Sequence, residues 1–403
     1  MALSPATRIG RSDFLLILTA SVFVFLVFFN RYILGNFLRR VRPKSFNVPP
    51  STFEPQVTVV VPMYNEGRAI SQTVLSILNQ NYPEEKLQLI VVDDYSSDDS
   101  LRWVCTASQH SPDRVTILKN DRNVGKRLSI LNAVRRTSDE IIVSVDSDVV
   151  LDPDAIGSLM KGFSEPSIGA VGGRVRVRNA SLNWLTCLQT IKYYFAYEYF
   201  KNIELAYHSI LCLSGCLTAF RRSILVELEP VLENRNVLGI PIKYGEDRFL
   251  TRQVIKAGYE TFMTHEAVCW TLVPNTFRKY WSQQLRWRRS VLIDFLCGLS
   301  HSWKLHPLVV LNYAAIFAML VGYPILIAES LANGFFLPLA TFHIMVLGLL
   351  GTIYWFGTRA WPKNERVHPL WFLPMAFVLP TIYLILTPLA IFTLDSSSWE
   401  TRN

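Results

Sequence analysis

Charged residues are scarce here. Asp, Glu, Lys and Arg make up 18% of the 403 residues, while hydrophobic types make up 50%. About a quarter charged is usual for a soluble domain. The mean hydropathy of +0.23 points the same way, so membrane segments are the first expectation. Other absences narrow the field. The six cysteines (Cys105, Cys187, Cys212, Cys216, Cys269, Cys297) contain no Cys-x-x-Cys pair, and Cys212 and Cys216 have no histidines nearby at zinc spacing. They read as reduced thiols of a cytosolic domain. No Gly-x-x-x-x-Gly-Lys-Ser/Thr stretch occurs, which argues against a P-loop nucleoside triphosphatase. No Ala-x-Ala signal follows the first apolar run, so that run reads as a retained anchor. There is no internal repeat and no low-complexity segment.

The apolar residues gather at the two ends. Phe14 to Phe29 lacks charge and extends past Arg31 to Leu38, just long enough to span a bilayer. Five basic residues follow its core (Arg31, Arg39, Arg40, Arg42, Lys44). The net charge of +8 therefore marks a cytoplasmic membrane face rather than a nucleic-acid partner. Leu308 to Ala328 and Phe335 to Phe356 also have membrane length, and Arg359, Lys363 and Arg366 place the loop after them in the cytoplasm. Trp371 to Leu394 is apolar but carries Pro374, Pro380 and Pro388, which disfavour one straight span. It is expected to lie in the interface or to re-enter. The expected divisions are an N-terminal anchor (1–45), a cytoplasmic catalytic domain (46–275), interface helices (276–307) and a C-terminal membrane region with its tail (308–403).

Between the apolar ends, strands and helices alternate. Val57 to Val61, Leu87 to Val92, Val115 to Lys119, Glu140 to Val145 and Ile168 to Val177 read as strands. Helical periodicity follows at Ala69 to Gln80, with Ile70, Val74, Ile77 and Leu78 on one face. Helices are also expected at Asp98 to Ser108 and at Gly125 to Arg136. An aromatic-rich helix is expected over Leu182 to Leu205, a short strand over Tyr259 to Thr264 and a helix over Phe277 to Leu299. Such alternation predicts an α/β fold, a mainly parallel sheet with helices on both faces. Ligands then sit beyond the C-terminal strand ends. Glu66, Asp93, Asp94, Asp146 and Asp148 all fall at that edge.

Asp146-x-Asp148 alone reads as an acidic turn. Where the chain turns, one carboxylate can hold a divalent cation directly and the other support it, a pattern that suits Mg²⁺ or Mn²⁺ with substrate phosphates. Asp93-Asp94 alone could cap the following helix. Lys126, in Asn123-Val124-Gly125-Lys126-Arg127, opens a helix, and a lysine at a helix N-terminus suits phosphate oxygens.

Pro62-x-Tyr64-Asn65-Glu66, Asp93-Asp94, Asn123 to Arg127, Asp146-x-Asp148, Gly245-Glu246-Asp247-Arg248 and Gln283-x-x-Arg286-Trp287 occur in that order. The set resembles the processive family 2 glycosyltransferases, in the branch of hyaluronan synthase, chitin synthase and the nodulation chito-oligosaccharide synthase. The resemblance implies a GT-A-like domain with transmembrane helices at both ends. It implies a UDP-sugar donor, a growing β-linked polysaccharide as acceptor, and a multi-pass protein of the plasma or inner membrane. Asp247, beside Glu246, would be the base that takes the acceptor proton, and the like charge of Glu246 could raise its pKa. Tyr64, Glu66, Asp93, Asp94, Lys126, Asp146, Gln283 and Arg286 would bind the nucleotide sugar, and Asp146 and Asp148 the metal. Trp287 would stack on the acceptor, near Ser214, Gly215 and Cys216. Ser398 to Arg402 resembles the family's tail segment, so Trp399 and Arg402 would close over the nucleotide, although Glu400 stands where that segment has glycine. Two other functions compete. One is a non-processive transferase acting on a lipid or lipid-linked acceptor. The other is a catalytically dead export scaffold, against which the intact carboxylates argue.

Overall fold

The computed structural model describes residues 18, 21–22, 24–34, 37, 53–163, 165–205, 210–237, 239–302 and 307–395. Trp399, Arg402, the basic cluster Arg39 to Lys44 and most of the expected N-terminal anchor lie outside these residues.

The sheet runs through β1 (Val57–Met63), β2 (Leu87–Asp93), β3 (Val115–Lys119), β4 (Ile141–Val145), β5 (Val150–Leu151), β6 (Ile168–Val177) and β7 (Leu217–Arg221). A separate two-stranded ribbon, β8 (Asn236–Val237) with β9 (Ile240–Pro241), precedes the last strand, β10 (Glu260–Thr271). The spatial order of the large sheet is β3-β2-β1-β4-β7-β6-β10-β5. β3, β2, β1 and β4 are mutually parallel, as the alternation predicts, and β10 is parallel to β6. β7 runs antiparallel between β4 and β6, so the sheet is mixed. Strand residues alternate between two cores. Val57, Val59 and Val61 face one, and Val60, with Ile90 and Ile142, faces the other. Burial on both faces is why these strands are nearly continuous β-branched runs.

Helices α1 (Ile70–Leu78), α2 (Ser100–Ala107), α3 (Lys126–Val134) and α4 (Ala155–Lys161) cover the sheet. The expected face of α1 is the buried one: Ile70, Val74 and Ile77. The expected aromatic helix is not one regular helix. It is α5 (Trp184–Tyr194), a π-helical stretch (Phe195–Phe200) and a short helix (Lys201–Leu205). Its start is fixed by Asn183, whose side chain accepts from the N–H groups of Leu185 and Thr186. α6 (Glu246–Lys256) carries the Glu246-Asp247 pair, and α7 (Phe277–Ser302) the Gln-x-x-Arg-Trp residues. The strand expected to end at Thr264 continues to Thr271. A register shift between Met263 and Val268 interrupts its alternation, which hides the second half from a period of two.

α8 (Pro307–Phe317), a π-helical turn (Ala318–Gly322) and α9 (Tyr323–Ala332) form one rod. Its stretch Val309–Ala332, and α10 (Phe336–Thr358), are each long and apolar enough to cross a membrane. Val27, from the described part of the N-terminal segment, packs against Ala318, Tyr323 and Ile327 of the rod. The proline-bearing segment forms one helix, α11 (Met375–Ile391). Pro374 sits at its N-cap, and the helix continues through Pro380 and Pro388. Apolar helices tolerate proline where neighbours restore the lost contacts. Here Ile382 and Leu386 pack on Leu185 of α5 and Tyr280 of α7.

Both flanks of α11 are tied to the α/β domain. Before it, the Arg176 guanidinium on β6 meets Glu365 Oε2 at 2.5 Å and lies 4.4 Å from the centre of the Trp361 ring. After it, Tyr244 Oη donates to the Leu394 carbonyl at 2.7 Å, and Arg289 Nε to Thr393 Oγ1 at 3.0 Å.

Candidate active site

The sheet order explains how distant motifs meet. Met63 at the end of β1 stands beside Asp93 at the end of β2, and β4 lies on the other side of β1. Because β7 is antiparallel to β4, its first residue, Leu217, pairs with Val145, the last of β4. Ser214-Gly215-Cys216 therefore arrives at the same edge as Asp146, though it precedes its strand rather than following it.

These edges wall a cavity of about 520 Å³. Its sheet end includes Tyr64, Glu66, Asp94, Lys126, Asp146, Ser147 and Asp148. Ser214 to Cys216, Gly245 to Arg248, Arg286 and Trp287 carry the wall onward. Two expected residues are not in it. The Asp93 carboxylate turns back to accept from the Ser96 N–H at 3.0 Å. Gln283 is buried behind the wall and accepts from the side chain of its neighbour Gln284, which does line the cavity.

Lys126 is the knot of the site. It is buried, and its Nζ donates to Asp146 Oδ1 at 2.6 Å and to the Gly215 carbonyl at 3.3 Å. Asp247 Oδ1 lies 3.5 Å away and Glu246 Oε1 3.7 Å. Burial opposes its charge, but the carboxylates of Asp146, Asp247 and Glu246 outweigh that, so its pKa stands well above the usual lysine value. Lys126 is thus an ammonium at any physiological pH. The amides expected to offer a phosphate cradle are already used: the N–H groups of Val124 and Gly125 each donate to the Asp94 carboxylate at 2.8 Å. Asn120 Nδ2 donates to the same carboxylate at 2.8 Å. Asp94 therefore shapes the loop that delivers Lys126.

Asp247 opens α6. It lies deep in the protein, yet 36% of its side chain remains open to the cavity. Burial pushes its pKa up to about 6; Lys126 pulls it down, and Glu246 and Asp146 push it up. The expected effect of Glu246 is present but second to burial. Gly245, before this pair, has φ +68°, and a Cβ there would lie 2.0 Å from Ser290 Oγ on α7. Only glycine permits both the left-handed turn and that approach. The two motifs are locked together by this contact and by the Arg252–Asp294 ion pair at 3.0 Å.

Glu66 Oε1 accepts from Ser147 Oγ at 2.8 Å, joining the loops after β1 and β4. Asp148 Oδ2 accepts from Thr271 Oγ1 at 3.4 Å. Asp146 and Asp148 both retain partial exposure toward the cavity. Their all-oxygen donor set suits Mg²⁺ or Mn²⁺, with substrate oxygens completing the shell. No cluster of three or more His, Cys, Asp or Glu side chains with metal-site geometry occurs among the described residues. Ser214 Oγ accepts from Tyr197 Oη at 2.9 Å and from the Cys216 N–H at 3.2 Å. Trp287 packs with Tyr193 on α5, ring centres 6.3 Å apart. The sequence reading passed over Lys192, Tyr193, Tyr197, Lys201 and Gln284, all of which line the cavity. Tyr193 and Tyr197 had a signal in the aromatic richness of residues 184–200 and Gln284 in its place inside the Gln-x-x-Arg-Trp motif, while Lys192 and Lys201 had none.

Comparison with known proteins agrees with this geometry. An N-acetylglucosaminyltransferase of Mesorhizobium japonicum is 33% identical over 379 residues, 89% of this chain and 86% of its own. One of Azorhizobium caulinodans is 35% identical over 246 residues, 61% of this chain and 62% of its own. Among solved structures, a mannosyltransferase of Pyrobaculum calidifontis, in complex with GDP-Man and Mn²⁺, superposes with a TM-score of 0.67 at 23% identity. The match covers 93% of this chain and 98% of that one. It shows a shared GT-A-like fold. A profile of the family described as "Glycosyltransferase like family 2" matches residues 55–290, from just before β1 to α7. With every carboxylate motif of the cavity inside those bounds, the chain belongs to glycosyltransferase family 2.

Proposed function

We propose that this enzyme transfers a sugar from a UDP-sugar, with inversion, to the end of a growing β-linked polysaccharide at a membrane face. The observation that carries the reading is the grouping of Asp247, Lys126 and Asp146 in one cavity with Trp287. Asp247 takes the proton of the acceptor hydroxyl as its oxygen attacks the anomeric carbon. The bond from that carbon to the diphosphate oxygen breaks, and the electron pair leaves with the UDP. Lys126 and Arg286 offer positive charge to that diphosphate, and Trp287 offers a flat face for an acceptor ring. A divalent metal, held by Asp146 and Asp148, would supply further charge for the leaving group. N-acetylglucosamine is the first sugar to try, because the relatives above carry that name.

We read the catalytic domain as cytoplasmic and the protein as multi-pass in the plasma or inner membrane, divided at residues 45, 275 and 307. The two apolar helices and the N-terminal segment packed on them support this. One observation favours a second acceptor. Ile316, Met319 and Leu320 of the apolar rod also line the same cavity. A lipid-linked sugar would place its chain there. Purified protein in detergent, given radiolabelled UDP-sugars singly and in pairs, tests both readings. A ladder of lengthening products supports polymerisation. A single addition that partitions into organic solvent supports the lipid-linked acceptor. Absence of turnover with every donor would leave the scaffold reading.

A further inference from the structure

Two lysines of the cavity stand in unlike company. Lys126, at the sheet end, faces three carboxylates. Lys192, on α5, faces none. Its Nζ donates to the side-chain oxygen of Gln284 and stands 5.2 Å from the centre of the Trp287 ring. Lys201 is 9% exposed, and its Nζ lies 4.1 Å from the centre of the Tyr197 ring. Both lysines line the cavity, and neither makes an ion pair among the described residues. Burial and then the neighbouring charge of Arg288 push the Lys192 pKa down to about 7. Burial lowers that of Lys201 as well, opposed by the neighbouring Cys212 and Glu204.

An ammonium in a largely desolvated wall with no carboxylate beside it is disfavoured, and the depressed pKa of Lys192 reflects that. A ring face and an amide oxygen offset only part of this. Aliphatic or amide side chains could fill these positions at lower cost. The two lysines line one cavity with Trp287, Ile316, Met319 and Leu320, and of the two only Lys201 has a carboxylate, Glu204, close enough to act on it. The negative charge that Lys192 lacks is therefore left to what enters the cavity.

We propose that Lys192, with Lys201 behind it, binds an anionic group carried by the acceptor. This rests on the reading of Trp287 as the acceptor platform. The shared chemistry is a phosphate or carboxylate oxygen at the ammonium. Two sources present it: the diphosphate of a lipid-linked sugar, whose chain the apolar wall would receive, or the carboxylate of a uronic acid within the polymer.

The test measures sugar transfer from a fixed UDP-sugar to three acceptors, using the full chain in detergent with Mn²⁺. They are a neutral chito-oligosaccharide, an oligosaccharide of alternating N-acetylglucosamine and glucuronic acid, and N-acetylglucosamine diphosphate on a polyisoprenyl lipid. The unmodified protein is expected to prefer one anionic acceptor over the neutral one by about tenfold or more in kcat/KM. The preferred acceptor identifies the source. Lys192→Met should abolish the preference through KM for the anionic acceptor, leaving KM for the UDP-sugar in place. Lys192→Arg should retain it, and Lys201→Met should weaken it. Equal use of neutral and anionic acceptors by the unmodified protein overturns the proposal. So does a variant that loses both acceptors equally, or one whose defect lies in the donor KM. Transfer without charge preference sinks the anion site alone, whereas no transfer to any acceptor sinks the functional reading beneath it.

Discussion

A methyl group at position 215 would sit 2.4 Å from both Asp247 Oδ1 and Lys126 Nζ, closer than any real contact allows. Gly215→Ala must push the base or its counter-ion aside. A misplacement near 1 Å costs roughly a hundredfold in rate, so kcat should fall by about that much while thermal melting moves by only a few degrees. Asp247→Asn should remove turnover and leave UDP-sugar binding by calorimetry nearly intact. Loss of nucleotide binding with the rate preserved at saturation would remove Asp247 from the role of base. Its pKa of about 6 sets the pH profile. A carboxyl with a raised pKa is protonated, and idle as a base, below that value. The acid limb of kcat/KM should therefore fall about tenfold per unit below pH 6 and flatten above pH 7. At this scale Asp93, Asp94 and Asp146 were legible because they stand at the ends of apolar strands, whereas Asp247, which opens a helix, was legible only through its Gly-Glu-Asp-Arg motif. Lys192 was not, since nothing in its neighbours Ile191 and Tyr193 signals that the fold will set it over Trp287.

Elements with regular periods were read well. β3 and β6 have the bounds expected of them, and α1 buries the expected face. Local rules gave way where they met a tertiary contact. The bulge in β10 broke the alternation at Met263, and packing on α5 and α7 carried α11 through two prolines. α11 has 17 residues, about 25 Å of helix, and both of its flanks are bonded to the α/β domain. We infer that it lies along the interface rather than crossing, which keeps the tail after Leu394 on the catalytic side. Asn403→Cys, in a chain stripped of its native cysteines, should resist a membrane-impermeant maleimide on intact cells and react after permeabilisation. Labelling of intact cells would put the tail outside and remove any contact of Trp399 or Arg402 with the nucleotide. Tyr244→Phe should loosen the same attachment, with proteolytic cleavage after Leu394 becoming faster.

For the whole molecule, alternation was enough to foretell the parallel half of the sheet. It could not foretell β7, which enters between β4 and β6 in the opposite direction; strand order between distant segments is a property of the closed fold. That insertion brings Ser214 to Cys216 to the carboxylates. Metal dependence also belongs to this scale, because Asp146, Asp148 and the substrate must act together. Excess chelator should abolish transfer, added Mn²⁺ or Mg²⁺ should restore it, and Asp148→Asn should raise the metal concentration needed by roughly tenfold or more. Full activity in chelator would dismiss the metal.

The lining of the cavity includes both the sheet edge and the apolar rod, so on the proposed function donor and acceptor would enter by separate doors. UDP, departing by the sheet door, should compete with the UDP-sugar and leave the affinity for the acceptor unchanged. An inert acceptor analogue entering from the rod side should show the converse pattern. The enzyme would then work as a lock between two compartments of traffic, where the lengthened product need never retreat past the nucleotide it has just displaced.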